Sequence, residues 1–346
     1  MSGGGEELRS RLGDRREDRV RERVADEHAD ERDRPDDAAR DRQPRHHPYA
    51  TCSRCRREQV VRAKDVKRVG VVGFGLMGSG IAQVVARVGI DVTVLEPTEE
   101  LLARGRGRVD ASTGRAVERG KLDAEERDAL VGRIRGTTNV ASLADVELVI
   151  EAATEDREAK LAIFRELDRV VGPDAPLASN TSSIPIATLA AVTSRPDKVI
   201  GLHFFNPPPV MDLIEVTPSL MTSADTVSFA RAFGERLGKT TVLAKDEAGF
   251  IVNRLLIPYL CAAIRLLDAG FATREDIDAS IALGLNHPMG PLGLADLIGL
   301  DTVLQIAEVL FNEFREPAYA PPPRLRRMVA AGRLGRKSGA GFYDYG

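Results

Sequence analysis

The chain has 346 residues, 43% of them hydrophobic, which is long enough for two domains with sizeable cores. A net charge of -3 and a pI near 6.1 give no overall attraction to nucleic acid or to an anionic membrane. No apolar run reaches membrane-spanning length, because the most hydrophobic stretch, Phe250 to Leu267, is interrupted by Asn253, Arg254, Pro258 and Arg265. The polar start carries no secretory signal, and three cysteines do not make a disulfide framework, so a reducing cytoplasm is expected.

Met1 to Lys64 contains 15 acidic and 17 basic residues and almost no apolar periodicity. Such a segment buries too little to offset chain entropy, so residues 1–65 are expected to form a disordered charged extension. Cys52 and Cys55 have the spacing of half a zinc site, with His46 and His47 nearby, but a closed site needs four ligands and no second such pair exists. No metal is expected.

At Lys67 the composition changes. Val69 to Val72 form an apolar run that leads into Gly73, Gly75 and Gly78 and then a helical pattern through Ala86, which reads as strand, glycine turn and helix. The first glycine permits the tight turn, the second a close backbone approach to a pyrophosphate, and the third close helix packing, with phosphates at the helix N-terminus. A second strand, Asp91 to Leu95, ends at Glu96, where an acid can bond a ribose 2′-hydroxyl and repel a 2′-phosphate. The expected cofactor is NAD rather than NADP.

Polar helical segments follow over Thr98 to Gly120 and Ala124 to Ile134, then short strands over Val146 to Ile150 and Ala175 to Ala178. Repeated strand and helix alternation predicts an α/β fold, a Rossmann-like doubly wound sheet. Ligands bind beyond the carboxyl ends of such strands, so Glu96, Glu155 and Ser182 should face one crevice.

A nicotinamide cofactor there implies hydride transfer at a carbon bearing oxygen, and a proton must then be handled. His203, in the apolar run VIGLHFFN, is the natural carrier. Taken alone, a histidine in such a run is more often a satisfied core residue. Glu215 lies twelve residues on, across a proline-rich turn that can fold two strands together, and its carboxylate can meet the imidazole. His287, in NHPMGP, reads as structural. From Gly249 the periodicity is helical, so an all-α domain is expected over 248–346 after a cofactor domain over 66–247. Asn253 falls in the first turn of a buried helix, as a packing residue or as an amide that meets a substrate carbonyl. The apolar faces of Ile251 to Leu267 and Leu297 to Leu310 exceed the needs of one small bundle, and a homodimer through this domain is expected.

Taken together, SNTSS, HFFNPPPVMDLIEV, GFIVNRLL, NHPMGPLGLADLIGLD and GRKSGAGFYDY resemble the two-domain L-3-hydroxyacyl-CoA dehydrogenase family, with its bacterial 3-hydroxybutyryl-CoA members nearest. The resemblance runs from Val66 to the C-terminus. It implies a His203–Glu215 catalytic pair, with Ser182 and Asn253 polarising the C3 oxygen and the thioester carbonyl of an acyl-CoA substrate. It also implies NAD contacts at Gly73, Gly75, Leu76, Met77, Gly78, Glu96, Glu155, Lys160, Asn206 and Lys337.

Two departures from the family pattern stand out. The family often shows a Ser and a Lys seven residues apart on the helix that contacts coenzyme A; here the first looks like Thr113 and the second falls on Gly120, with Lys121 beside it. Asp212 takes a place that is often basic. A related dehydrogenase of a small sugar acid or polyol such as gulonate uses the same catalytic residues, and a weakened coenzyme A contact would fit it. A non-catalytic NAD-binding protein is the remaining alternative.

Overall fold

The computed structural model describes residues 62–346; the charged extension expected before them, with Cys52, Cys55, His46 and His47, lies outside the described residues. The expected extension ran to residue 65, but Ala63 is already buried, and Arg236 holds the carbonyls of Ala63 and Val66 at 2.8 and 2.7 Å.

Eight strands form one sheet in the order β3-β2-β1-β4-β5-β6-β7-β8. They are β1 (Arg68–Val72), β2 (Asp91–Leu95), β3 (Ile134–Thr137), β4 (Leu148–Glu151), β5 (Leu177–Ser179), β6 (Val199–Phe204), β7 (Leu213–Pro218) and β8 (Thr240–Leu243). All neighbouring pairs are parallel except β6 and β7. The central strands read as unbroken apolar runs because helices cover both faces. Chain order reverses across β1, between β2 and β4, and places a ligand crevice at their carboxyl ends.

The helices of this half are α1 (Leu76–Arg87), α2 (Glu99–Glu118), α3 (Ala124–Gly132), α4 (Arg157–Val170), α5 (Ile186–Ala190) and α6 (Ala224–Arg236). Their starts follow from local chemistry. Thr98, Asp156 and Ser223 accept backbone N–H bonds from the first turns of α2, α4 and α6, and Asp123 forms a reciprocal capping box with Glu126 on α3. One apolar core, with Val71, Ile81 and Val94, lies on one face of the sheet, and a second, with Phe164, Leu177 and Leu189, lies on the other.

The second half is helical: α7 (Val252–Asp268), α8 (Arg274–Gly284), α9 (Pro291–Ile298), α10 (Leu300–Phe314) and α11 (Pro323–Ala330). A third core built on Leu260, Ile264, Leu292, Val303 and Leu310 holds them together. Buried Asp296 pins the C-terminal segment, accepting from the backbone N–H groups of Phe342 and Tyr343 at 2.9 Å each.

Two strands, β3 and β8, have no counterpart in the sequence pattern. Residue 134, expected to close a helix, instead opens β3, because α3 stops at Gly132 and the next residues pair with β2. The single apolar stretch expected over Leu297 to Leu310 is two helices broken at Gly299, whose φ of 103° a side chain would rarely tolerate.

Gly78 is required by contact, since a Cβ there would stand 1.9 Å from the carbonyl oxygen of Gly73. Gly78→Ala is therefore expected to destabilise the fold by about 1–3 kcal/mol, read as a lowered midpoint in chemical denaturation.

Candidate active site

The glycine turn after β1 tests whether a dinucleotide fits. At Gly73, where φ is 97°, a Cβ would meet the Ala152 carbonyl oxygen at 2.7 Å, so packing demands glycine at 73 and, as above, at 78. Gly75 differs: nothing lies within 4 Å of a Cβ placed there, and its φ of -68° suits any residue. The space it leaves lies outside the protein, at the start of α1, where no side chain caps the first-turn amides. A helix N-terminus open in this way suits a pyrophosphate. Leu76 is exposed and Met77 half-buried at the same turn. Glu96, half-buried beyond β2, accepts the backbone N–H of Phe74 and so ties the second strand to the turn.

Beyond β4 and β5 a second carboxylate organises the crevice. Glu155 Oε1 accepts from Thr181 Oγ1 at 2.6 Å, Ser183 Oγ at 2.8 Å, and the backbone N–H groups of Ser182 and Ser183 at 2.9 and 3.2 Å. Burial alone would raise its pKa, but Lys160 and the Thr181 and Ser183 hydroxyls outweigh that and hold it below the ordinary value of 4.5. Behind it lies Glu151, fully buried at the end of β4. The pattern of the apolar run LVIE did not single it out; an acid closing a buried strand was the available signal.

His203 and Glu215 face each other directly across the antiparallel β6–β7 pair. His203 Nδ1 donates to Glu215 Oε2 at 2.7 Å, and Glu215 Oε1 accepts the N–H groups of Ile251 and Val252 at 3.0 and 2.9 Å. The carboxylate thus occupies the N-terminus of α7, where the helix dipole favours an anion. With Nδ1 committed as donor, a neutral imidazole holds its lone pair on Nε2. Phe205 and Phe250 wall the imidazole at ring-centroid distances of 4.7 and 5.4 Å. Asn253, buried in the first turn of α7, comes to the same helix end. Asn180 Oδ1 accepts the Phe204 N–H at 2.9 Å and ties the Ser182 loop to the His203 strand.

Other expected residues are placed differently. Lys160 is only 1% exposed, its ammonium 2.6 Å from Glu151 and 3.4 Å from Glu155, so it stands behind the crevice rather than in it. Asn206 is exposed just past β6. Lys337 belongs to the helical half, where it pairs with Asp301 at 2.5 Å. Thr113 is buried, donates its hydroxyl to the Val109 carbonyl at 2.9 Å, and lines the basic cavity between α1 and α2. His287 is exposed in the turn before α9, with its ring 6.4 Å from that of Tyr259.

A cavity of about 310 Å³ opens between α1, α2 and the proline turn that follows β6. Arg87, Arg115, Arg119, Lys121 and Lys239 line it, and no acid does. Ser112 and Thr113 line it too, and Ser112 stands seven residues before Arg119, so a hydroxyl–cation pair at the expected spacing also occurs one residue before Thr113 and Gly120. Asp212 is not among the lining residues; its side chain is 88% exposed and lies 3.8 Å from Lys239.

A dinucleotide cradle beside a histidine–carboxylate pair defines a nicotinamide-dependent oxidoreductase. Family comparison matches residues 68–247 to the NAD binding domain of 3-hydroxyacyl-CoA dehydrogenase and 249–345 to its C-terminal domain. The chain belongs to the 3-hydroxyacyl-CoA dehydrogenase family. It is similar to a 3-hydroxybutyryl-CoA dehydrogenase of Mycobacterium tuberculosis, with 55% identity over 282 residues that cover 81% of this chain and 99% of the other. It is 42% identical over 287 residues to the mitochondrial hydroxyacyl-coenzyme A dehydrogenase of Homo sapiens, covering 81% and 91%. The crystal structure of (S)-3-hydroxybutyryl-CoA dehydrogenase from Ralstonia eutropha superposes with a TM-score of 0.77 at 46% identity, covering 81% and 99%.

The lowered pKa of Glu155 means that folding favours its ionised form, a stabilisation fully present above pH 4.5 and lost as pH falls through the lower folded value. Glu155→Gln is expected to be less stable than the parent protein at pH 7, with the gap closing on acidification below pH 4.5. Denaturation midpoints across that range read this directly.

Proposed function

We propose that the chain interconverts an L-3-hydroxyacyl-CoA and the corresponding 3-oxoacyl-CoA with NAD, with 3-hydroxybutyryl-CoA as its short-chain substrate. The His203–Glu215 pair carries this reading. In the oxidative direction His203 Nε2 removes the proton of the 3-hydroxyl. Bound NAD supplies the hydride acceptor for the hydrogen leaving C3. Glu215 keeps the imidazole in the productive tautomer and offsets the charge it gains, and its own charge is held by the α7 amides. Reduction runs the same steps backwards, with the imidazolium giving its proton to the new alkoxide.

Ser182 and Asn253 are assigned to the C3 oxygen and the thioester carbonyl, which they polarise by hydrogen bonding. The glycine turn and Glu96 are assigned to NAD, with Asn206 at the crevice mouth. Lys160 serves by holding Glu155. Lys337 is assigned to the cofactor only if its pairing with Asp301 opens. The acid-free cavity with its five cations suits the phosphates of coenzyme A and favours an acyl-CoA over a small sugar acid, which has no phosphate for them to meet. We assign the phosphate contact to Ser112, Thr113, Arg119 and Lys121.

A homodimer through the helical half accompanies this reading. Leu255, Phe271, Leu283 and Leu285 are each at least 60% exposed there, a large apolar surface for a monomer. Among the described residues no helix is long and apolar enough to cross a membrane, and a cytoplasmic location is proposed.

Purified protein should oxidise NADH with acetoacetyl-CoA, and His203→Gln should lower kcat by roughly 10²–10⁴-fold while NAD binding, followed by calorimetry, survives. Turnover of gulonate with none of acetoacetyl-CoA would overturn the substrate assignment; turnover of neither would favour a non-catalytic NAD-binding protein. Leu255→Glu combined with Leu283→Glu should convert a dimer to a monomer in sedimentation, and a wild-type monomer would refute the dimer.

A further inference from the structure

Glu151 lies outside the crevice and is fully buried, yet two of its side-chain hydrogen bonds, those with Lys160 and Ser179, lead toward the Ser182 loop. Its Oε1 accepts from Lys160 Nζ at 2.6 Å and from the Ala153 N–H at 2.7 Å, and its Oε2 from Ser179 Oγ at 2.6 Å. Ser179 Oγ in turn accepts the Thr181 N–H at 3.2 Å. Lys160 bridges the two acids: its ammonium reaches Glu155 Oε2 at 3.4 Å, while the donors of Thr181, Ser182 and Ser183 gather on Glu155 Oε1. Glu155 therefore has one oxygen drawn back by Lys160 and the other presented to the loop.

We propose that Glu151 is a positioning residue for Ser182: it fixes Lys160, which sets the carboxylate of Glu155, which arranges the loop of residues 179–183. The proposal rests on the reaction assigned above. Stability alone accounts poorly for a Glu and a Lys that are 0% and 1% exposed. Burying an ion pair costs several kcal/mol per charge, and an apolar pair of similar volume is often as stable or more so. What an apolar pair cannot do is direct a neighbouring carboxylate. Without Glu151 the ammonium would move wholly onto Glu155, which already binds it, and pull that carboxylate off the loop.

The test uses Glu151→Gln, which keeps size and an acceptor but removes the charge, and the double variant Glu151→Leu with Lys160→Met, which restores an apolar interior. In cofactor-free protein, amide hydrogen exchange at Ser182 and Ser183 should rise by about tenfold in both variants. With acetoacetyl-CoA and NADH, kcat should fall by about tenfold in both, with a smaller change in KM. The double variant should regain the parent's thermal midpoint without regaining kcat or loop protection, a separation that a purely structural pair would not give. Parent-like exchange and kcat in Glu151→Gln, or recovery of both in the double variant, would overturn the proposal. If the parent turns over neither acetoacetyl-CoA nor gulonate, the substrate reading fails, and the exchange data still decide the positioning role.

Discussion

One carboxylate joins the two halves of this molecule. Glu215 Oε2 holds His203 on the neighbouring strand, and Glu215 Oε1 holds the first amides of α7, the helix that opens the second half. A carboxylate with no exposure is tolerated only when its lone pairs are met, and here a ring nitrogen and two backbone N–H groups meet them. Because β6 and β7 are antiparallel and in register at this pair, the acid reaches the ring across the shortest path that a sheet offers. Asn253 follows the capped amides of α7 directly, buried in the same first turn. The sheet half, His203 and the helical half thus share one anchor.

The crevice works by using carboxylates as fixed acceptors. Glu96 holds the glycine turn, Glu155 the Ser182 loop and Glu215 the imidazole, so each carboxylate orders donors whose remaining capacity faces a ligand. Apart from Lys160, which pairs with Glu151 and Glu155, the cations near the crevice line the cavity at the proline turn. In the function proposed above, the reacting end of a substrate meets neutral donors and a histidine while its phosphate-bearing carrier takes the basic side. The cavity also answers the concern raised by Gly120 and Asp212. A basic wall is present although the residues at those two positions do not contribute to it.

The legibility of the sequence varied with how strongly each element is buried. Strands β1, β2, β4 and β6 are apolar runs because helices cover both faces, and β1 is punctuated by glycines whose neighbours forbid a side chain. Strand β3 buries only Ile134, and β8 buries none of its four residues, so neither carried a periodic signal. Both exist because a neighbouring strand offers backbone partners, a contact outside any local window. Gly299 broke an expected helix for the related reason that a positive φ is a backbone property without a hydropathy signature.

The sequence by itself determined the cofactor turn and the family, because each depends on residue types at fixed spacings from strand and helix ends, and it nominated His203, Glu215, Ser182 and Asn253 as the reacting set. It also favoured a core role for His203 when that residue was read alone, and only the facing strand settled its partner. Tertiary structure decided what no spacing encodes: that Lys160 turns inward to two glutamates, that Thr113 spends its hydroxyl on its own helix, that Glu151 stands behind the Ser182 loop, and that scattered arginines and lysines form one cavity wall. The physical reason is common to all four. The direction of a polar side chain is set by whichever donor or acceptor packing brings within about 3 Å, and that neighbour is usually far away in the chain.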